Sequence, residues 1–158
     1  MHESVRAWVS SQIAAHDLAA LSVLEIGSLD ENGTIRDLFS GPYLGVDMRE
    51  GPGVDRVVNA HELKLKAGSY QVVICAEMIE HDPAYWLSLA EIGRVLRRAG
   101  HLLLTTRGNG FGEHRYPADY WRFMPDSGIV IAELADCDLL DMTLDPQAPG
   151  IFIHGVRR

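Results

Sequence analysis

Ser-Val-Leu-Glu-Ile-Gly-Ser over 22–28 runs an apolar stretch straight into a glycine, and Tyr-Leu-Gly-Val-Asp over 43–47 ends a second apolar stretch on an acid. Each run is too short for a helix and reads as a buried strand. A glycine closing the first strand allows a tight turn and a close backbone approach to a ligand. An acid closing the next strand is how an open α/β sheet holds an adenosine ribose. Asp47 follows Gly27 by 20 residues, which suits that arrangement. The pair points to a protein that binds a nucleoside-containing cofactor.

The rest of the chain alternates in the same way. Val5, Trp8, Val9 and Ile13 form a helical stripe within 4–20, with Ser4 placed as its N-cap. Residues 34–39 have room for only a short helix, and Gly51-Pro52-Gly53 forces a tight loop before a third strand at 54–58. Tyr70 to Cys75 is apolar enough to be a fourth strand buried on both faces. Asp82-Pro83 reads as N-cap and first position of a helix with Trp86, Leu89, Ile92 and Leu96 facing inward. Arg94, Arg97 and Arg98 suit its C-terminal end, and Gly100 its stop. A fifth strand follows at 101–106, a helix at 127–136, and two last strands at 139–144 and 151–156. The final two are close enough in sequence to pair antiparallel. This alternation predicts an α/β fold, a mostly parallel sheet with helices on both faces, in a single domain over 1–158.

With 158 residues the chain can build one real core. Fourteen basic against 22 acidic residues give a formal charge of −8, which argues against a broad surface for duplex nucleic acid. Cys75 and Cys137 lack metal-type spacing, and Cys75 reads as a small core residue. No apolar run approaches the ~20 residues that span a bilayer, and the N-terminus has no signal-peptide profile. The expected location is the cytoplasm, with no membrane partner.

Taken together, Val23-Leu24-Glu25-Ile26-Gly27-Ser28, Gly45-Val46-Asp47, Asn59-Ala60-His61-Glu62-Leu63, Glu77-Met78-Ile79-Glu80-His81 and the stretch 91–106 resemble the class I S-adenosylmethionine (SAM)-dependent methyltransferases, in particular the small, type 11-like group. The resemblance implies a Rossmann-like seven-stranded sheet in the order 3-2-1-4-5-7-6, strand seven antiparallel. It also implies SAM as the cofactor, held by Glu25, Gly27, Ser28, Asp47, Met48, Asn59, Ala60, His61 and Glu77. Two departures stand out. The first loop, Gly27 to Gly33, is longer than the family's Gly-x-Gly-x-Gly, and Asn59 replaces the acid often found after strand three.

Within that frame Asp47 suits the two ribose hydroxyls, since a carboxylate accepts from adjacent donors. Asn59 can offer donor and acceptor to an adenine edge or simply form a turn. His81 is a candidate general base or a structural histidine. The long loop 107–125 reads as an acceptor lid, with His114 or Asp119 to take a proton and Tyr116, Tyr120 and Arg122 to hold the substrate. Trp121 and Phe123 are expected in the core. A metal bound by His81, His114 and Asp119 lacks any short ligand spacing, so no metal is expected.

The expected activity is methyl transfer from SAM to oxygen or nitrogen of a small-molecule acceptor, with a partner or homodimer as one way to complete the site. The alternatives are a SAM-binding or assembly module without catalysis, an NAD-binding Rossmann protein, and a nucleic-acid methyltransferase. No Gly-x-Gly-x-x-Gly fingerprint supports NAD. No Pro-Pro-aromatic motif or Pro-Cys nucleophile follows strand four.

Overall fold

In a computed structural model describing residues 2–115 and 117–158, one sheet of seven strands runs in the order β3-β2-β1-β4-β5-β7-β6. The strands are β1 (Val23–Ile26), β2 (Tyr43–Asp47), β3 (Arg56–Val57), β4 (Tyr70–Ala76), β5 (Leu96–Arg107), β6 (Cys137–Leu144) and β7 (Gly150–Arg157). β7 lies antiparallel to both β5 and β6, and the other pairings are parallel. This is the order that the methyltransferase resemblance implied.

The central strands alternate between two cores because successive side chains point to opposite faces. Val72 and Ile74 of β4 pack with Val23, Leu103 and Phe152 under α1 (Glu3–His16), through its Val5, Trp8, Val9 and Ile13. Val73 and Cys75 pack on the opposite face with Leu24, Leu102 and Ile153. That face is covered by α2 (Tyr85–Val95) and α3 (Ser127–Leu134), through Leu89, Ile92, Ile131 and Ala132. Helices therefore cover both faces, as a parallel sheet requires.

Several local readings need correction. α1 is preceded by His2 with no side-chain cap, and Ser4 is buried inside its first turn. α2 begins at Tyr85 after Ala84 with no side-chain cap, so Asp82 and Pro83 lie before the helix and Asp82 is tied to it from outside. Its carboxylate accepts the Ala84 N–H (2.9 Å) and the Ser88 hydroxyl (2.6 Å). α2 also ends early, at Val95. The amides of Gly68 and Ser69 take the carbonyls of Arg94 and Val95 (3.0 and 2.9 Å), so the last turn is satisfied from outside. Leu96 then goes extended and pairs with Tyr70, which puts Arg97 and Arg98 in β5. The third strand shrinks to two exposed residues at the sheet edge. Phe123 is in the core, but Trp121 is 39% exposed. Its indole N–H donates to the Asp82 carbonyl (2.9 Å), which holds the ring at the surface edge-on to Tyr85.

Candidate functional site

The carboxyl ends of β1, β2 and β4 open onto a crevice of about 530 Å³, a size typical of small-molecule sites. Gly27 closes β1 with φ +79°, and a Cβ there would meet Met78 at 3.2 Å. A side chain at this position would be strained and would press on the crevice wall. The loop after Gly27 folds across to the tip of β2. Leu29 N–H donates to Asp47 Oδ2 (3.4 Å), Arg49 N–H to Asp47 Oδ1 (2.9 Å), and Asp30 N–H to the Pro52 carbonyl (2.8 Å). The long first loop is thus tethered around Asp47.

All nine residues expected at the cofactor line this crevice: Glu25, Gly27, Ser28, Asp47, Met48, Asn59, Ala60, His61 and Glu77. Asn59 also makes the turn, its Oδ1 accepting the His61 N–H (2.8 Å), so its side-chain amide N–H groups are what remain for a ligand. The His61 ring donates to Asp82 (2.8 Å) and forms part of the wall.

Three buried carboxyls surround the floor. Glu25 accepts the Tyr43 hydroxyl (2.8 Å), and burial pushes its pKa up to about 7. Burial raises Glu77 to about 7 as well, with nearby Glu80 adding to the rise and Arg107 opposing it. Arg107 is fully buried at the end of β5, paired with Glu77 and with Asp145 (2.9 Å). Glu80 is likewise fully buried, raised to about 7 by burial, and accepts the Thr106 hydroxyl (2.8 Å).

The loop after β5 closes over one end of the crevice. The Glu80 carbonyl accepts the N–H groups of Tyr120 (2.9 Å) and Trp121 (3.1 Å), and His81 Nδ1 donates to the Ala118 carbonyl (2.6 Å). His81, His114 and Tyr120 line the crevice, with the two imidazoles edge to face at 4.6 Å between centroids. Burial and the neighbouring His81 lower the His114 pKa.

Asp119 and Arg122 stand apart from the lining. Their side chains pair in a double hydrogen bond at 2.5 Å, and Asp119 also accepts the His114 N–H (2.8 Å). The Arg122 guanidinium holds the Asp119 carboxyl well below the usual carboxylate range. Arg122 reaches further to the Phe111 and Gly112 carbonyls (3.1 and 2.8 Å), so the pair braces the loop. A strongly ionised carboxylate engaged by a guanidinium is a poor proton acceptor, which weighs against proton transfer by Asp119. Tyr116, expected at the substrate, lies outside the described residues.

Sequence reasoning missed Glu80 and Arg107 as members of this site. Their burial depends on the loop that folds over them, and only the Glu80-His81 adjacency signals it. His2, which also lines the crevice, comes there from the start of α1 with no local signal at all.

The methyltransferase domain family matches residues 41–104, from the approach to β2 to within β5. No curated protein matches the chain. Among solved structures, the Burkholderia thailandensis 1,6-didemethyltoxoflavin-N1-methyltransferase, bound to 1,6-didemethyltoxoflavin and S-adenosylhomocysteine, is similar with a TM-score of 0.80. Its identity is 17%, and the match covers 98% of this chain and 79% of that one. The YcgJ protein of Bacillus subtilis is similar with a TM-score of 0.75 at 15% identity over 99% of each chain. The cyclase SpnF gives 0.72 at 11% identity, over 95% of this chain and 80% of its own. Identities this low speak to the fold.

Proposed function

We infer that this chain, which has the class I SAM-dependent methyltransferase fold and a methyltransferase-domain match at its centre, binds SAM in the crevice above Gly27 and methylates a small-molecule acceptor. The observation that carries the reading is the joint position of Gly27 and Asp47. A backbone without a Cβ and a carboxylate fixed by two amides meet at one end of a cleft large enough for a nucleoside. The residues fit the cofactor. Asp47 retains acceptor capacity for two ribose hydroxyls, the Asn59 amide and the Ala60 N–H face the crevice for an adenine edge, and Ser28 has a buried hydroxyl with no partner among the described residues.

SAM supplies an activated methyl group on a sulfonium. The protein's task is then to position the acceptor, exclude water and accept a proton where the acceptor needs it. Glu25 and Glu77 put carboxyl groups into the crevice wall. The loop 111–123 closes the opposite end, placing His81, His114 and Tyr120 along the acceptor side. His81 donates from Nδ1 to the Ala118 carbonyl, which fixes its ring along the acceptor side. The cleft's size and the acidic charge support a small-molecule acceptor. The Burkholderia neighbour, solved with a small-molecule acceptor, supports it by analogy.

A module that binds SAM without catalysis is the second reading, favoured by the unusual first loop. Calorimetry with S-adenosylhomocysteine and with NAD tests the cofactor assignment. S-adenosylhomocysteine, the demethylated cofactor, should bind and NAD should not. NAD binding with no response to S-adenosylhomocysteine would overturn it. Release of S-adenosylhomocysteine from SAM in the presence of acceptor separates the enzyme from the module.

A further inference from the structure

The acceptor end of the crevice gathers three metal-ligating side chains from two segments far apart in sequence. Glu80 and His81 come from the short turn after β4, and His114 from the loop after β5. One carboxylate oxygen and one ring nitrogen from each imidazole lie within 4.8 Å of one another. Glu80 is fully buried, and its Oε1 has no hydrogen-bond partner among the described residues, while Oε2 is engaged by Thr106. That Oε1 faces His81 Nε2 at 4.0 Å. A buried carboxylate oxygen left without a donor is costly, and a cation would relieve the cost.

The second imidazole nitrogen of His81 is placed as metal ligands require. Its Nδ1–H donates to the Ala118 carbonyl (2.6 Å), which fixes the ring and aims Nε2 at the cluster. A backbone carbonyl or carboxylate on the far nitrogen is the usual companion of a ligating histidine. On the other histidine, Asp119 accepts the His114 backbone N–H (2.8 Å) and lies 3.6 Å from its ring Nδ1, which holds this part of the loop beside the cluster.

We propose that Glu80, His81 and His114 form a binding site for a divalent transition metal at the acceptor end of the crevice. Two imidazoles and one carboxylate suit zinc or ferrous iron over magnesium or calcium, which prefer all-oxygen shells. Three protein ligands leave coordination positions open, and an acceptor oxygen or nitrogen can fill one. The proposal adds to the methyl-transfer reading by suggesting how the acceptor is held, but the metal site can be tested without it.

The test titrates zinc into metal-stripped protein in competition with a chromophoric chelator, with S-adenosylhomocysteine calorimetry on the same samples. The wild type should take up about one zinc per chain with high affinity. Glu80→Gln and His114→Ala should each weaken zinc by at least about tenfold while S-adenosylhomocysteine binding persists. His114 is on a partly exposed loop, so its variant tests the site even if Glu80→Gln fails to fold. A second histidine group, His16, His101 and His154, lies under α1, with His101 Nδ1 and His154 Nε2 at 2.8 Å. Zinc binding that survives both crevice variants, or that is lost in His101→Asn instead, overturns the proposal. Zinc binding that depends on Glu80 and His114 in a protein that ignores S-adenosylhomocysteine upholds the metal site and removes the methyl-donor reading.

Discussion

Asp47 accepts one backbone N–H on each oxygen, from Leu29 and Arg49, and still has lone pairs directed to the crevice. Replacing it by alanine removes a charge-assisted interaction with a sugar worth about 1.5–3 kcal/mol. Asp47→Ala should therefore weaken S-adenosylhomocysteine roughly 10- to 150-fold by calorimetry, and an unchanged affinity would remove Asp47 from the site. Glu25 gives a second residue-level expectation. Its pKa is raised from 4.5 to about 7, chiefly by burial, so the native state favours the neutral acid. The stability this contributes is complete below pH 4.5 and declines as pH rises to about 7, because the unfolded chain has already lost that proton. Glu25→Gln cannot ionise, so urea denaturation should show it gaining on the wild type across that window, by on the order of 3 kcal/mol in full. A difference that does not change with pH would contradict this. Asp47 and Gly27 were legible in the sequence because a strand end and a glycine carry their meaning locally. The pairing of Asp119 with Arg122 was not legible, because it is set by how a loop folds back, which no spacing rule describes.

At the level of elements, Asp82 ties together three segments. Its carboxylate accepts the Ala84 N–H just before α2 and the Ser88 hydroxyl within it, and receives the His61 ring from the crevice wall. Asp82→Ala leaves the fully buried Ser88 hydroxyl unpaired, at a cost of about 1–3 kcal/mol. Equilibrium urea unfolding should register that loss, and a change under about 0.5 kcal/mol, the low end for one hydrogen bond, would show that these bonds are dispensable. The helix starts two residues beyond the Asp82-Pro83 opening expected for it, but its approximate place was readable. The end of α2 was not. Arginines and a glycine favour a longer helix, but the amides of Gly68 and Ser69 finish it at Val95 and let Leu96 join the sheet. The loop after β5 shows the same division. Its glycines and aromatics announced an unusual loop, while the Glu80 carbonyl that anchors Tyr120 and Trp121 belongs to another segment.

For the whole molecule, strand count and the two-faced core follow from apolar runs, whereas the strand order came with the family resemblance. Periodicity says which residues are buried but not which strand lies beside which. Placing β1 between β2 and β4 brings Gly27, Asp47 and Glu77 to one edge, which is where open α/β sheets bind ligands. No helix among the described residues is long and apolar enough to cross a membrane. The most direct measurement is a crystal structure of the chain with S-adenosylhomocysteine. The sugar should hydrogen-bond Asp47, with the adenine beside Asn59 and Ala60 and the sulfur directed to His81 and His114. A sugar bound elsewhere, or a crevice that admits no nucleoside, would contradict the methyltransferase reading.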